Sequence, residues 1–132
     1  MTDRIGELGA SELEVLKVLW DVGPSTVRDV LTHLHERGRR LAYTTVLTFL
    51  SRLEQKGYVT SNKSEPAYVY KAKVSRERVT RSRVRSLLHE LYDGAAGALV
   101  LQLMQSERLS PEELLELQAL LNRLEDDTEQ GQ

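Results

Sequence analysis

One stretch, residues 41–72, constrains the fold more than any other part of this 132-residue chain. A helical pattern in its first half has apolar residues at the i, i+3, i+4, i+7 spacing of a single buried face, namely Val46, Phe49, Leu50 and Leu53. Gly57 follows, and glycine is the residue that most readily ends a helix in the left-handed conformation. Two Tyr/Val-rich runs, Tyr58–Thr60 and Tyr68–Tyr70, come next and flank a polar link. This order is typical of a recognition helix followed by a β-wing.

Further helices are predicted on both sides of this stretch. Before it, one helix spans Glu12–Asp21, and a second begins at Ser25 or Thr26 and ends before Gly38. Ser11 and Glu14 have the S-x-x-E spacing of a capping box for the first helix. After it, helices are predicted from Ser75 to Tyr92, from Ala95 to Gln105 and from Pro111 onwards. The helix at 95–105 is apolar nearly all round, so we expect it to be buried.

The predicted fold is mainly α with a small β-wing. It combines an N-terminal winged helix-turn-helix domain (1–73) with a C-terminal three-helix dimerisation domain (74–127) and a disordered tail (128–132). The second domain contains more leucine than about 60 residues can hide alone, so its surplus apolar surface should pair with a second copy of the chain. The residues expected at this interface are leucines: Leu87, Leu91, Leu99, Leu103, Leu114, Leu117, Leu121 and Leu124.

Charge is distributed unevenly along the chain. The net charge is −2, but residues 106–132 alone carry −6, whereas residues 1–72 carry +1 and residues 73–105 carry +3. A mildly basic body beside an acidic tail suits a modular DNA-binding protein. There is no cysteine, which excludes disulfides and thiolate metal sites. No apolar run is long enough to insert in a membrane and the N-terminus lacks a secretory pattern, so we expect a cytoplasmic protein.

The outward face of the predicted recognition helix carries Thr44, Thr48 and Ser51 and no acid, with Leu47 and Arg52 at its edges. Small and hydrogen-bonding side chains let a helix backbone enter the major groove, where Thr hydroxyls and methyl groups contact base edges. Contacts to the DNA backbone are expected from residues of this helix, of the loop before it and of the wing: Tyr43, Ser51, Arg52, Arg39, Arg40, Lys63 and Lys71.

Other functions are less well supported by the residues. Any amphipathic helix has a polar outer face, so a winged-helix module that binds only protein is the main alternative. His33 and His35 lie two residues apart on a helix and do not share a face, so no metal site is expected. No nucleophile elbow or glycine-rich phosphate loop occurs, and we expect neither an enzyme nor a cofactor.

Long segments of the chain resemble the penicillinase-repressor (BlaI/MecI) family of winged-helix regulators, namely ELEVLKVLWDVGPSTVRDV (12–30), LAYTTVLTFLSRLEQKGYV (41–59), AYVYKAKVSRE (67–77) and LYDGAAGALVLQLMQSERLSPEELLEL (91–117). The resemblance implies a homodimeric repressor that binds double-stranded DNA at inverted repeats with TACA/TGTA-like half-sites. The family's base-reading positions fall on Thr44, Thr45, Leu47 and Thr48. Some members have Lys and Arg at the first and third of these positions.

The resemblance also implies a mode of induction. In relatives, a membrane-bound sensor metalloprotease triggers cleavage of the repressor at an Asn-Phe bond in the helix that matches residues 95–105. The corresponding pair here is Gln102-Leu103, which differs at both positions. A repressor released by a ligand or a partner protein is the alternative.

Overall fold

A computed structural model of the chain describes residues 7–131, which form six α-helices and three short β-strands. The predicted fold class, mainly helical with a small wing, is confirmed. The helices are α1 (Ala10–Val22), α2 (Val27–Glu36), α3 (Tyr43–Gln55), α4 (Arg76–Tyr92), α5 (Ala96–Ser106) and α6 (Pro111–Gln130). The strands are β1 (Ser25–Thr26), β2 (Val59–Asn62) and β3 (Val69–Ala72).

The sheet is antiparallel with the strand order β1-β3-β2. The hairpin β2–β3 was predicted, although both strands begin one residue later and extend further than the sequence patterns indicated. Strand β1 was not predicted, because it contains only two residues and leads directly into α2. Its Ser25 pairs with Tyr70 of β3, whose other neighbour is Ser61 of β2. A third strand stabilises the wing, since an isolated hairpin is marginal in water.

The core lies where α1, α2 and α3 meet the sheet. Val15, Leu16 and Val18 of α1 have no exposed surface, and Leu19 is almost completely buried, so α1 lies deep in this core. Leu34 of α2 and Leu53 of α3 are equally inaccessible. Packing against α1, α2 and the sheet therefore fixes the position of α3 and its rotation about its own axis.

The capping box predicted for α1 is wrong. The helix begins before Ser11, with Gly9 at the N-cap, and the Gly9 amide donates to the Glu12 carboxylate at 2.9 Å. Glu14 instead forms an ion pair with Arg39. The predicted starts of α4 and α6 are confirmed, since Ser75 and Ser110 accept from the amides of Arg78 and Glu113.

The chain divides into two compact units, and the boundary between them lies between Arg83 and Val84 in the sequence. The first unit extends beyond residue 73, the boundary expected from the sequence, because Val74 and Val79 are buried in its core. Among residues 7–131, no helix has the length and apolar character needed to cross a bilayer.

The second unit contains the end of α4 together with α5 and α6. None of the residues 84–131 is buried in the single chain, so the expectation that the helix at 95–105 is buried is wrong for the chain alone. Many large apolar side chains of the second unit are exposed, and Leu101 and Leu121 are at least half exposed. Helix α6 continues to Gln130, so residues 128–130, expected in a disordered tail, are helical, and Gln132 lies outside the described residues.

Candidate nucleic-acid interface

Helix α3 turns one face towards the core and leaves the other open to solvent. Val46, Leu50 and Leu53 are buried, whereas the opposite face, made of Thr44, Thr48, Ser51 and Gln55, is exposed. The one acid of α3 is Glu54, near its C-terminus, and it accepts a hydrogen bond from Ser61 of β2 at 2.7 Å. The exposed face is therefore free of negative charge, as a helix that enters a DNA groove requires.

The four residues expected to read bases lie in the first two turns of α3. Thr44 and Thr48 are exposed, Leu47 is 36% exposed and Thr45 is partly buried. The Thr48 hydroxyl donates to the backbone carbonyl of Thr44 at 2.9 Å. With its proton directed to that carbonyl, this hydroxyl presents an acceptor lone pair to solvent.

The residues expected to contact the DNA backbone differ in whether they already form an ion pair within the chain. Arg39 is paired with Glu14 of α1 at 3.0 Å, so a phosphate would have to compete with that carboxylate. Arg40 and Arg52 are exposed and form no ion pair within residues 7–131. The remaining members of the set, which lie in α3 and the wing, are also exposed, namely Tyr43, Ser51, Lys63 and Lys71.

Asp21, at the end of α1, joins the loop before α3 to the start of α4. Its carboxylate accepts from Arg76 at 2.5 Å and from Arg37 at 2.8 Å, and these hydrogen bonds lower the pKa of Asp21 below its ordinary value. Arg76 also lies over the Trp20 ring, 5.3 Å from its centroid. The Trp20 indole donates to the Val74 carbonyl at 2.9 Å, so α1 holds the first turn of α4 by two side chains.

Glu12 fixes the other end of α3. This carboxylate is only 4% exposed, and Lys56, which caps the C-terminus of α3, donates to it at 2.7 Å. Burial raises the pKa of Glu12, but the hydrogen bonds from Lys56 and Gly9 outweigh burial and leave the pKa below its ordinary value. The charged pair therefore holds α3 against the start of α1.

A cleft of about 550 Å³ opens between the start of α3 and the wing. On one wall Arg28 of α2 lies over the ring of Tyr43, 5.6 Å from its centroid. Tyr68 lines the wing side, and Lys63 lies 5.8 Å from its ring centroid. Burial raises the pKa of Tyr70, which also lines the cleft, so its hydroxyl stays protonated. The lining contains no acid.

Arg28, Tyr68 and the cleft itself were not among the predicted site residues. Arg28 faces Tyr43 only because α2 and α3 pack together, and no local pattern carries that information. In the described part of the chain, no cluster of His, Cys, Asp and Glu is arranged to hold a metal ion.

The sequence model of the family described as penicillinase repressor matches residues 8–123. The chain belongs to this family. The penicillinase repressor of Staphylococcus aureus is 24% identical over 92% of this chain and 96% of its own length. That of Bacillus licheniformis is 28% identical over 89% of this chain and 91% of its own length. A solution structure of the DNA-binding domain of the repressor BlaI matches with a TM-score of 0.49 and 27% identity, covering 57% of this chain and 90% of that chain.

Penicillinase repressors are transcriptional regulators and not enzymes, so the expected class, a DNA-binding winged-helix repressor without enzymatic activity, is confirmed.

Proposed function

We propose that this repressor binds an inverted-repeat operator as a homodimer in the cytoplasm and silences the adjacent genes by covering promoter DNA. The observation that carries the proposal is the exposed, acid-free face in the first turns of α3. One α3 enters the major groove of each half-site, and the two half-sites lie about 34 Å apart or a multiple of it.

Thr44, Thr45, Leu47 and Thr48 read the bases of a TACA/TGTA-like half-site. Three hydroxyls and several methyl groups on two turns of helix suit a half-site of mixed A·T and G·C pairs, since thymine presents a methyl group and adenine and cytosine present amino donors. The exposed cations of the loop before α3, of α3 and of the wing supply the salt-dependent, sequence-independent part of the affinity, namely Arg40, Arg52, Lys63 and Lys71.

The second unit joins the two copies. No residue of 84–131 is fully buried in the single chain, and contiguous apolar surfaces beyond a few hundred Å² are rare on monomeric proteins. The exposed leucines of α4, α5 and α6 supply the interface of the dimer. A dimer makes binding of the second half-site intramolecular, so the affinity for a palindrome exceeds that for either half.

A titration of labelled duplexes against salt tests the proposal. Mobility-shift binding is measured on an inverted TACA/TGTA repeat and on a scrambled duplex of equal composition, at four or more KCl concentrations. We expect operator binding to be stronger than scrambled binding, with log affinity falling linearly with log salt. A module that binds only protein would show neither the preference nor the steep fall, and that result would reject the proposal.

Release by cleavage at Gln102-Leu103, triggered by a membrane-bound sensor metalloprotease, is a second proposal. Both side chains are exposed, but the bond lies inside α5, where Ser106 donates to the Gln102 carbonyl at 2.7 Å. Cleavage therefore needs local unwinding of α5. Intact-mass spectra of repressor from derepressed cells should contain fragments 1–102 and 103–132. Full-length chain alone in such cells would favour release by a ligand or a partner.

A further inference from the structure

We propose that the cleft between α3 and the wing binds a phosphate group of the operator backbone, and that the Arg28 guanidinium of α2 donates hydrogen bonds to it. The inference deepens the proposed function and rests on it. It assigns a backbone-positioning role to a residue outside the helix and the wing.

The stacking of Arg28 on Tyr43 prepares the guanidinium for an anion. A ring packed against the flat face of a guanidinium restricts its orientation and leaves the N–H groups at its edge free to donate. Within residues 7–131 Arg28 forms no ion pair. The neighbouring acid in sequence, Asp29, is turned towards the Thr26 amide, which donates to it at 3.1 Å. Arg28 therefore presents positive charge that no carboxylate of the chain neutralises directly.

On the wing side, Tyr68 lines the cleft, and the Lys63 ammonium lies over its ring just outside the lining. Arg28 is therefore the cation of the cleft lining, Lys63 adds positive charge beside Tyr68, and the lining contains no acid. The cleft is open to solvent, as a continuous strand requires, instead of enclosed like a small-molecule pocket.

The cleft is continuous with the base-reading face, because Tyr43 and Leu47 of α3 line it. A DNA strand whose base touches Leu47 therefore runs past the cleft, and a phosphate held there sets how far α3 enters the groove. Contacts of this kind fix register and orientation without reading sequence.

A pair of variants that differ only in charge tests the occupant. Ala67 lines the cleft and is exposed, so Ala67→Glu and Ala67→Gln place similar volumes there without disturbing the core. Binding of the full-length variants to the operator and to the scrambled duplex is measured by fluorescence anisotropy. We expect Ala67→Glu to bind both duplexes about tenfold more weakly than Ala67→Gln, because a carboxylate repels a phosphate.

Arg28→Ala tests the contact between Arg28 and the phosphate. Arg108→Ala is the matched control, because Arg108 is an exposed arginine in the loop between α5 and α6. Arg28→Ala should lower the slope of log affinity against log salt by about 0.9, the value for one phosphate, and weaken both duplexes alike. Arg28→Ala behaving like Arg108→Ala, or Ala67→Glu behaving like Ala67→Gln, would overturn the inference and leave the proposed function standing. Wild-type protein that shows neither operator preference nor salt dependence would instead reject the proposed function.

Discussion

The three threonines in the first two turns of α3 differ in the hydrogen bonds that their hydroxyls form within the chain. Thr48 donates its proton to the Thr44 carbonyl, whereas no side-chain hydrogen bond of Thr44 or Thr45 is present within residues 7–131. Thr44 and Thr45 can donate or accept, but Thr48 can only accept. Thr48 should therefore favour bases with an amino group in the major groove, adenine or cytosine.

Replacement of Thr48 should alter base preference and leave the salt dependence unchanged. Thr48→Ala removes the acceptor and the methyl group, and we expect about 1 kcal/mol less discrimination at one operator position, with the salt slope as in wild type. Thr48→Ser, which keeps the hydroxyl, is the control for the loss of the methyl group alone. The measurement is affinity for a set of operators substituted at each position, and a changed slope with unchanged preferences would contradict the assignment.

Arg52 should behave in the opposite way. It is exposed on α3 beyond the turns proposed to read bases, so Arg52→Ala should weaken binding to every duplex and make the salt slope shallower by about one unit. Salt titrations of the variant on operator and scrambled DNA provide the check. An unaltered slope together with a new base preference would place Arg52 on a base instead of on a phosphate.

The ion pair between buried Glu12 and half-buried Lys56 predicts a specific dependence of stability on pH. Because the folded pKa of Glu12 lies below its ordinary value of 4.5, its charged form stabilises the fold above pH 4.5, and this stabilisation is lost as the pH falls through the lowered pKa. Glu12→Gln should cost about 1–3 kcal/mol at pH 7, and the difference from wild type should shrink in acid. Urea unfolding at several pH values measures it.

Glu14→Gln is the matched control for that experiment. Glu14 likewise forms an ion pair, in its case with Arg39, but its side chain is 38% exposed, and surface pairs contribute about 0–1 kcal/mol. A Glu12→Gln variant no less stable than Glu14→Gln, or a difference from wild type that grows in acid, would show that the buried pair does not stabilise the fold.

At the scale of the elements, the connection from α3 to β2 depends on one backbone conformation. Gly57 has φ +89°, and the Tyr58 amide donates to the Leu53 carbonyl at 2.9 Å, as in a Schellman cap. The sequence predicted this left-handed cap, which turns the chain directly from the recognition helix into the wing.

Gly57→Ala should destabilise the chain through its backbone alone. A Cβ at this position would meet no atom within 4 Å, so the cost is that of the left-handed conformation, about 1–2 kcal/mol. We expect the melting temperature to fall by several degrees. Gly97→Ala is the control, because Gly97 lies in α5 with equal space around it and without a positive φ. An unchanged melting temperature in Gly57→Ala would show that the cap relaxes at no cost.

The order of the helices was predictable because each repeats an apolar pattern over at least ten residues. The start of α1 was not, because it depends on Glu12, which is buried by a contact with Lys56 44 positions away in sequence. Strand β1 is too short to show a pattern. The cleft was missed for a similar reason, since Arg28 meets Tyr43 only through the packing of α2 on α3. Local periodicity finds elements, but contacts between elements decide their ends and create the site.

At the scale of the whole molecule, the proposed dimer makes a prediction about α6. Leu121 lies in the predicted leucine seam and is 50% exposed, whereas Leu115, on the other side of the helix, is 72% exposed. Leu121→Asp should shift the protein to monomers in sedimentation experiments and weaken binding to the palindrome more than to a half-site. Leu115→Asp should remain dimeric. Equal behaviour of the two variants would exclude this face of α6 as the contact between copies.

The position of Trp20 gives the molecule an internal optical reporter. It is the only tryptophan of the chain, and its indole is held between the Val74 carbonyl and the Arg76 guanidinium, where α1 meets the first turn of α4. Emission from unlabelled protein therefore monitors a single contact, that of α1 with the start of α4. Inducer, operator or protease can each be added to the native chain, and a change in emission wavelength or intensity identifies the additions that alter this contact.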